Sequence, residues 1–182
     1  MKSKRFIVLG LMGALLLTGH LAGQEAFADG NNVNRGKVYE AQTQNLIGEE
    51  DAIKQVLKEN PQWQAKKIEL EKRRGKLIYK VEIVNKHEEK EYKIDAATGE
   101  VIRYETDKEL LDFDSNADIS LVQAIDIATK GRQNPIVKEA ELKRDFDKLY
   151  YEVEFFEGKV KYEVKIDAKT GDLISLQEHH RL

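Results

Sequence analysis

The sequence predicts an α+β fold of two tandem repeats, each one helix packed on an antiparallel sheet of about four strands. Three observations predict it. The stretch Lys93-Ile94-Asp95-Ala96-Ala97-Thr98-Gly99-Glu100 returns as Lys165-Ile166-Asp167-Ala168-Lys169-Thr170-Gly171-Asp172, 72 positions later. Without a gap, that offset also aligns Ile47 with Ile119, Leu70 with Leu142, and Tyr79 with Tyr151. In each copy an apolar stripe at helical spacing precedes segments that alternate polar and apolar residues, which is the order helix, then strands.

The chain has 182 residues and a formal net charge of −3. Its start is not part of the repeats. Lys2, Lys4 and Arg5 precede an uncharged apolar run, Phe6 to Leu17, and Ala26-Phe27-Ala28 fits a small-x-small cleavage pattern. Residues 1–28 therefore read as a signal peptide, because the run is short for a bilayer span. An uncleaved anchor extended through Leu21 and Ala22 is the alternative. Residues 29–182 hold 27 basic and 32 acidic side chains, a balance of −5, interspersed along the chain. Such a surface has no footprint for nucleic acid, and no membrane span is expected after signal cleavage. The chain has no cysteine. Neither disulfides nor a lipidated cysteine is available, so a secreted domain must rest on its core. Residues 29–45 open with Asp29-Gly30-Asn31-Asn32 and read as a flexible spacer.

Module 1 is expected over 46–106. Gly48 is a plausible N-cap, followed by Glu49, Glu50 and Asp51 at the positive end of the helix dipole. Ala52, Ile53, Val56 and Leu57 share a face, and Asn60-Pro61 stops the helix. Ile68 and Leu70 alternate with Lys67, Glu69 and Glu71. After a turn at Arg73-Arg74-Gly75, Leu77, Tyr79, Val81 and Ile83 form an inward set. Tyr92 and Ile94, then Val101-Ile102, mark two further strands. Module 2, expected over 118–178, repeats the plan. Ser120 and Gln123 make a capping box. Leu121, Ala124, Ile125 and Ala128 give the stripe, and Leu149, Tyr151, Val153 and Phe155 the inward set. Modules of this size are marginal alone, so the two should dock or share a continuous sheet surface. Residues 107–117 link them, with Leu110, Leu111 and Phe113 as candidate docking contacts, and 179–182 form a polar tail.

The helix Ile47 to Leu57, the strand Tyr79-Lys80-Val81-Glu82 and the run Tyr92 to Val101, with their second copies at Tyr151-Glu152-Val153-Glu154 and Tyr162 to Gly171, resemble the PepSY domain. The resemblance covers nearly all of Ile47 to Leu176. It implies a role of the kind proposed for the propeptides of thermolysin-like metallopeptidases, where these domains are associated with inhibition, or of stand-alone secreted and membrane-anchored bacterial proteins. It carries no catalytic residues. An inhibitor of this form would act in trans.

The residues themselves offer little chemistry. His87-Glu88-Glu89-Lys90-Glu91 misses the zinc motif, which needs two His one helical turn apart. His179 and His180 are adjacent on an extended tail and point apart, a poor chelate. Asp95 and Asp167 lack the alternating oxygen ligands of a calcium loop. With Thr98, Gly99, Thr170 and Gly171 they read as turn-defining residues, Asp bonding its own backbone and Gly taking positive φ. No serine has a histidine partner for nucleophilic catalysis. The expectation is no catalytic residue, no metal, no cofactor and no enzyme. Trp63, Tyr150 and Phe156 are the candidate surface, since the strand alternation puts Tyr150 and Phe156 on the outer face. They would serve either docking between modules or a protein partner. The function expected is a secreted or cell-surface module that binds, and inhibits or regulates, an extracellular peptidase. The alternative is a structural or sensory envelope protein holding a wall or membrane partner.

Overall fold

The computed structural model describes residues 5–7, 45–107, 117–146 and 148–180. Most of the spacer, and Leu110, Leu111 and Phe113 of the linker, lie outside them.

Helix α1, Glu49–Glu59, starts at Gly48 without a side-chain cap and carries Glu49, Glu50 and Asp51 in its first turn. Helix α2, Leu121–Thr129, starts on the Ser120–Gln123 capping box. Each helix is followed by four strands: β2 Gln64–Arg73, β3 Lys76–Val84, β4 Glu89–Asp95 and β5 Val101–Asp107, then β6 Ile136–Asp145, β7 Lys148–Glu157, β8 Val160–Asp167 and β9 Leu173–His180. A three-residue strand β1, Arg5–Ile7, pairs antiparallel with β5 through Tyr104–Thr106.

Each module was expected to carry a sheet of about four strands, the two docking or sharing a continuous sheet surface, and one continuous antiparallel sheet is found. Its order is β5-β4-β3-β2-β6-β7-β8-β9, with β1 beyond β5. The modules join edge to edge: Lys67 pairs with Glu141, Ile68 with Ala140, and Glu69 with Glu139. Ile68 and Ala140 are themselves equivalent under the 72-residue offset. The seam is therefore a local twofold between the two copies. Joining there removes two sheet edges at once, and an unpaired edge is a liability.

Inward residues alternate as the pattern required. Tyr79, Val81, Ile83, Tyr151, Val153 and Phe155 are buried, and with both helices they form one cluster that includes Ile68 and Ala140. A shared core supplies the burial that neither module could reach alone. β2 and β6 each bulge at an equivalent lysine, Lys66 and Lys138. The extra residue points each ammonium to the outer face, where Lys66 meets Glu89 at 2.9 Å and Lys138 meets Glu69 at 3.2 Å. His179 and His180, expected in a tail, instead close β9 opposite Lys161 and Val160.

Candidate partner-binding surface

The signature turns are built identically. Asp95 Oδ1 accepts from the amides of Ala97 and Thr98 at 3.0 and 3.1 Å, and Asp167 Oδ1 from Lys169 and Thr170 at 2.8 and 3.0 Å. Those amides hold the Asp167 carboxyl below its usual range. Gly99 and Gly171 take φ of +77° and +78° and donate their amides to the carbonyls of Asp95 and Asp167. A Cβ on Gly171 would lie 3.3 Å from Ile127 Cδ1, so the position wants both the positive φ and the missing side chain.

These turns also hold the helix entrances. The Ile47 amide donates to the Ala96 carbonyl, and the Ile119 amide to that of Ala168. From the strand below, Tyr79 donates its hydroxyl to Ile47 O at 3.0 Å and Tyr151 to Ile119 O at 2.8 Å. Burial pushes the Tyr151 hydroxyl up to about 12. Burial, then Glu49, raises that of Tyr79 as well. Both stay protonated donors across the working pH range. The repeated residues Asp, Thr, Gly and Tyr are thus occupied in joining helix to sheet.

The outer face is a lattice of lysine and glutamate. Lys80 lies 3.0 Å from Glu82 and 3.1 Å from Glu91, Lys161 2.8 Å from Glu154, and Lys165 3.3 Å from Glu152. Burial opposes the ionised forms of Glu91 and Glu152, but the lysines outweigh it and lower both carboxyls. At the seam, Lys67 sits among Glu139, Glu69 and Glu141 at 2.5, 3.8 and 3.9 Å. These are acceptor and donor groups fixed on each other, not acid/base pairs left open to a substrate. Among the described residues no group of three or more His, Cys, Asp or Glu side chains could hold a metal ion. His87 lies in a turn where Asn85 Oδ1 accepts from the His87 and Glu88 amides.

The three candidate aromatics do not form one patch. Trp63 lies half-buried on the helix side, under the Lys90 ammonium at 4.4 Å, and packs against the core. Tyr150 and Phe156 lie on the outer face of β7, half-buried, six residues and so about 20 Å apart along the strand. Lys165 Nζ stands 5.2 Å from the Tyr150 ring. The seam uses none of the three. It is formed by the edges of β2 and β6.

Exposed aliphatic surface gathers elsewhere, on the edge strand β9. Leu173, Ile174 and Leu176 are 58%, 54% and 40% exposed, with Ile127 of α2 at 37% beside the signature turn. β9 carries a single acid, Glu178, whereas its counterpart β5 carries Arg103, Glu105 and Asp107. Edge strands are ordinarily guarded by charge or proline; among the described residues β9 pairs on one side alone, with Glu178 its one acid and no Lys, Arg or Pro. Alternation cannot reveal this, because it gives a strand's facing residues but not whether a neighbour covers its edge.

The family described as peptidase propeptide and YPEB domain, PepSY, matches residues 46–105 and 118–176. The chain belongs to the PepSY family. The two PepSY matches coincide with the two copies of helix and four strands. Among solved structures, a candidate lipoprotein from Clostridium difficile 630 is 30% identical, over 75% of this chain and 96% of that one, with a TM-score of 0.46. The C-terminal domain of Bacillus megaterium YpeB is 20% identical, over 76% and 68%, with a TM-score of 0.32. No curated protein matches. No helix among the described residues is long and apolar enough to cross a membrane.

Proposed function

We propose that this PepSY protein is an extracytoplasmic, non-enzymatic module that binds a protein partner and restrains an extracellular peptidase in trans. The open, charge-poor edge of β9 carries the reading. An unguarded edge strand with exposed aliphatics is suited to an added strand, main-chain hydrogen bonds giving affinity and side chains choice. The family supports the peptidase as target. The commitment of the repeated residues to architecture supports a function exercised through surfaces. Cleavage after Ala28 would release residues 29–182 and would also take β1 from the edge of β5.

A second reading is an envelope protein that holds a wall or membrane partner, favoured by the apolar run Phe6 to Leu17, which would tether the chain if left uncleaved. One experiment separates the two. The chain is used as bait against the host's culture supernatant and envelope, and retained proteins are identified by mass spectrometry. Peptidase activity is then measured as the chain is added. Recovery of a metallopeptidase whose activity falls on titration supports restraint. Recovery of wall or membrane proteins alone, with peptidase activity unchanged, supports the envelope role.

A further inference from the structure

The seam and the β9 edge pose the same problem, and only the seam solves it within the chain. At the seam two equivalent strands pair antiparallel about a local twofold, Ile68 on Ala140. At the far side of module 2, β9 has β8 as its one neighbour among the described residues. An edge of unpaired amides and carbonyls is a template for another strand. Leu176 pairs with the inward Val164, so its exposed side chain lies on the helix side of the sheet, after the exposed Leu173 and Ile174. The eight residues of β9 hold one carboxylate, Glu178, and no Lys or Arg. Two such strands can approach each other without strong repulsion.

We infer that two copies of the chain pair β9 to β9, antiparallel, about a twofold through Leu176, so that one sheet runs on into the other. A twofold that keeps both sets of helices on one face passes through a pair of equivalent residues, as the seam does. The charges of β9 select which residue. Through Glu178 the axis would oppose two carboxylates, and through Ser175 it would bring Asp172 to Glu178 twice. Through Gln177 it would set each Leu176 against a carboxylate. Through Leu176 it lays leucine on leucine and Ser175 on Gln177, with no like charges opposed. A single pair of eight-residue strands falls at the low end of specific interfaces, below about 1,200 Å² of buried surface. The dimer is therefore weak, and in dilute solution the chain is a monomer with β9 open. The pairing goes beyond the proposed function and stands without it, although a partner strand and a second copy would compete for one edge.

The test uses the full chain. Sedimentation velocity from about 1 μM to about 1 mM should show the mass rise from one chain to two. Leu176→Lys sets two ammoniums across the twofold and should weaken association about tenfold, with its thermal midpoint in dilute solution equal to the parent's. The chain has no cysteine, so single cysteines report the register. Residues directly opposite in an antiparallel pair have Cα atoms about 4.5 or 5.5 Å apart, within disulfide reach, whereas the two copies of Gln177 would lie diagonally, beyond about 7 Å. Leu176→Cys should therefore crosslink two chains under mild oxidation, and Gln177→Cys should not. A parent monomeric throughout, association unchanged in Leu176→Lys, or crosslinking of Gln177→Cys in preference to Leu176→Cys would each overturn the pairing and leave restraint of a peptidase standing. The expected dimer from a chain that restrains no peptidase would support the pairing and count against the proposed function alone.

Discussion

The two modules solve the same corner in opposite ways. Where α1 ends, Asn60 is buried, donates to Val56 O and the Tyr92 hydroxyl at 2.8 and 3.0 Å, and accepts from Lys90, whose ammonium covers Trp63. Where α2 ends, Arg132 stands at the equivalent position, 4.0 Å from the Tyr162 ring centroid and 3.5 Å from Glu157. Tyr162 occupies the position of Lys90. Cation and ring have exchanged places between the helix-exit loop and the strand, yet each module still closes its core with a cation over an aromatic face. At the other end the tyrosine hydroxyl, the Asp turn and the positive-φ glycine are the same in both, while the cap and the first residue of the helix differ. The tie between helix entrance and sheet is thus one fixed solution, whereas the exit is closed by different groups that cover the core and satisfy its polar atoms.

That contrast can be broken most forcefully at the entrance. Tyr79→Ala and Tyr151→Ala should each cost about 3–5 kcal/mol in urea unfolding, as large aromatic truncations do. A loss below about 1 kcal/mol at either would deny the equivalence of the two entrances. Gly171→Val should cost about 1–3 kcal/mol, because a β-branched residue meets both the left-handed backbone and Ile127. An unchanged thermal midpoint would contradict the turn.

Most of this architecture was legible in the sequence. The offset of 72 gave the repeat, alternation gave the inward residues, and Ser120 with Gln123 gave the cap of α2. The seam was not, since a polar-apolar alternation such as Lys67 to Glu71 is the same for an edge strand and an interior one. Its trace is Lys67, which stands where the other copy has Glu139. Two glutamates in each strand would have crowded four carboxylates at the twofold. The corner at Asn60 and Arg132 escaped notice because its residues share no type.

Smaller changes sharpen the comparison of helix starts. Ser120→Ala should cost about 1 kcal/mol, while Gly48→Ser should gain a few tenths, since α1 lacks a side-chain cap. Reversed signs in chemical unfolding would contradict the capping geometry. Glu49 stands where module 2 has Leu121. Burial raises its carboxyl, against its own amide and the Tyr79 hydroxyl, which lower it. A raised carboxyl favours folding below its unfolded pKa of about 4.3, and that contribution is lost as pH rises through the folded value. Glu49→Gln should therefore be the more stable protein at pH 7, with the difference shrinking towards pH 4. A difference independent of pH would contradict the burial of the charge.

The central claim is that two copies of one module complete each other along β2 and β6. Amide hydrogen exchange tests it most directly. Protection at 67–69 and 139–141 should approach that of β3 and β7 and exceed that of the open edge β9. Exchange at those residues as fast as in β9 would mean that the seam is open and the two modules are separate sheets.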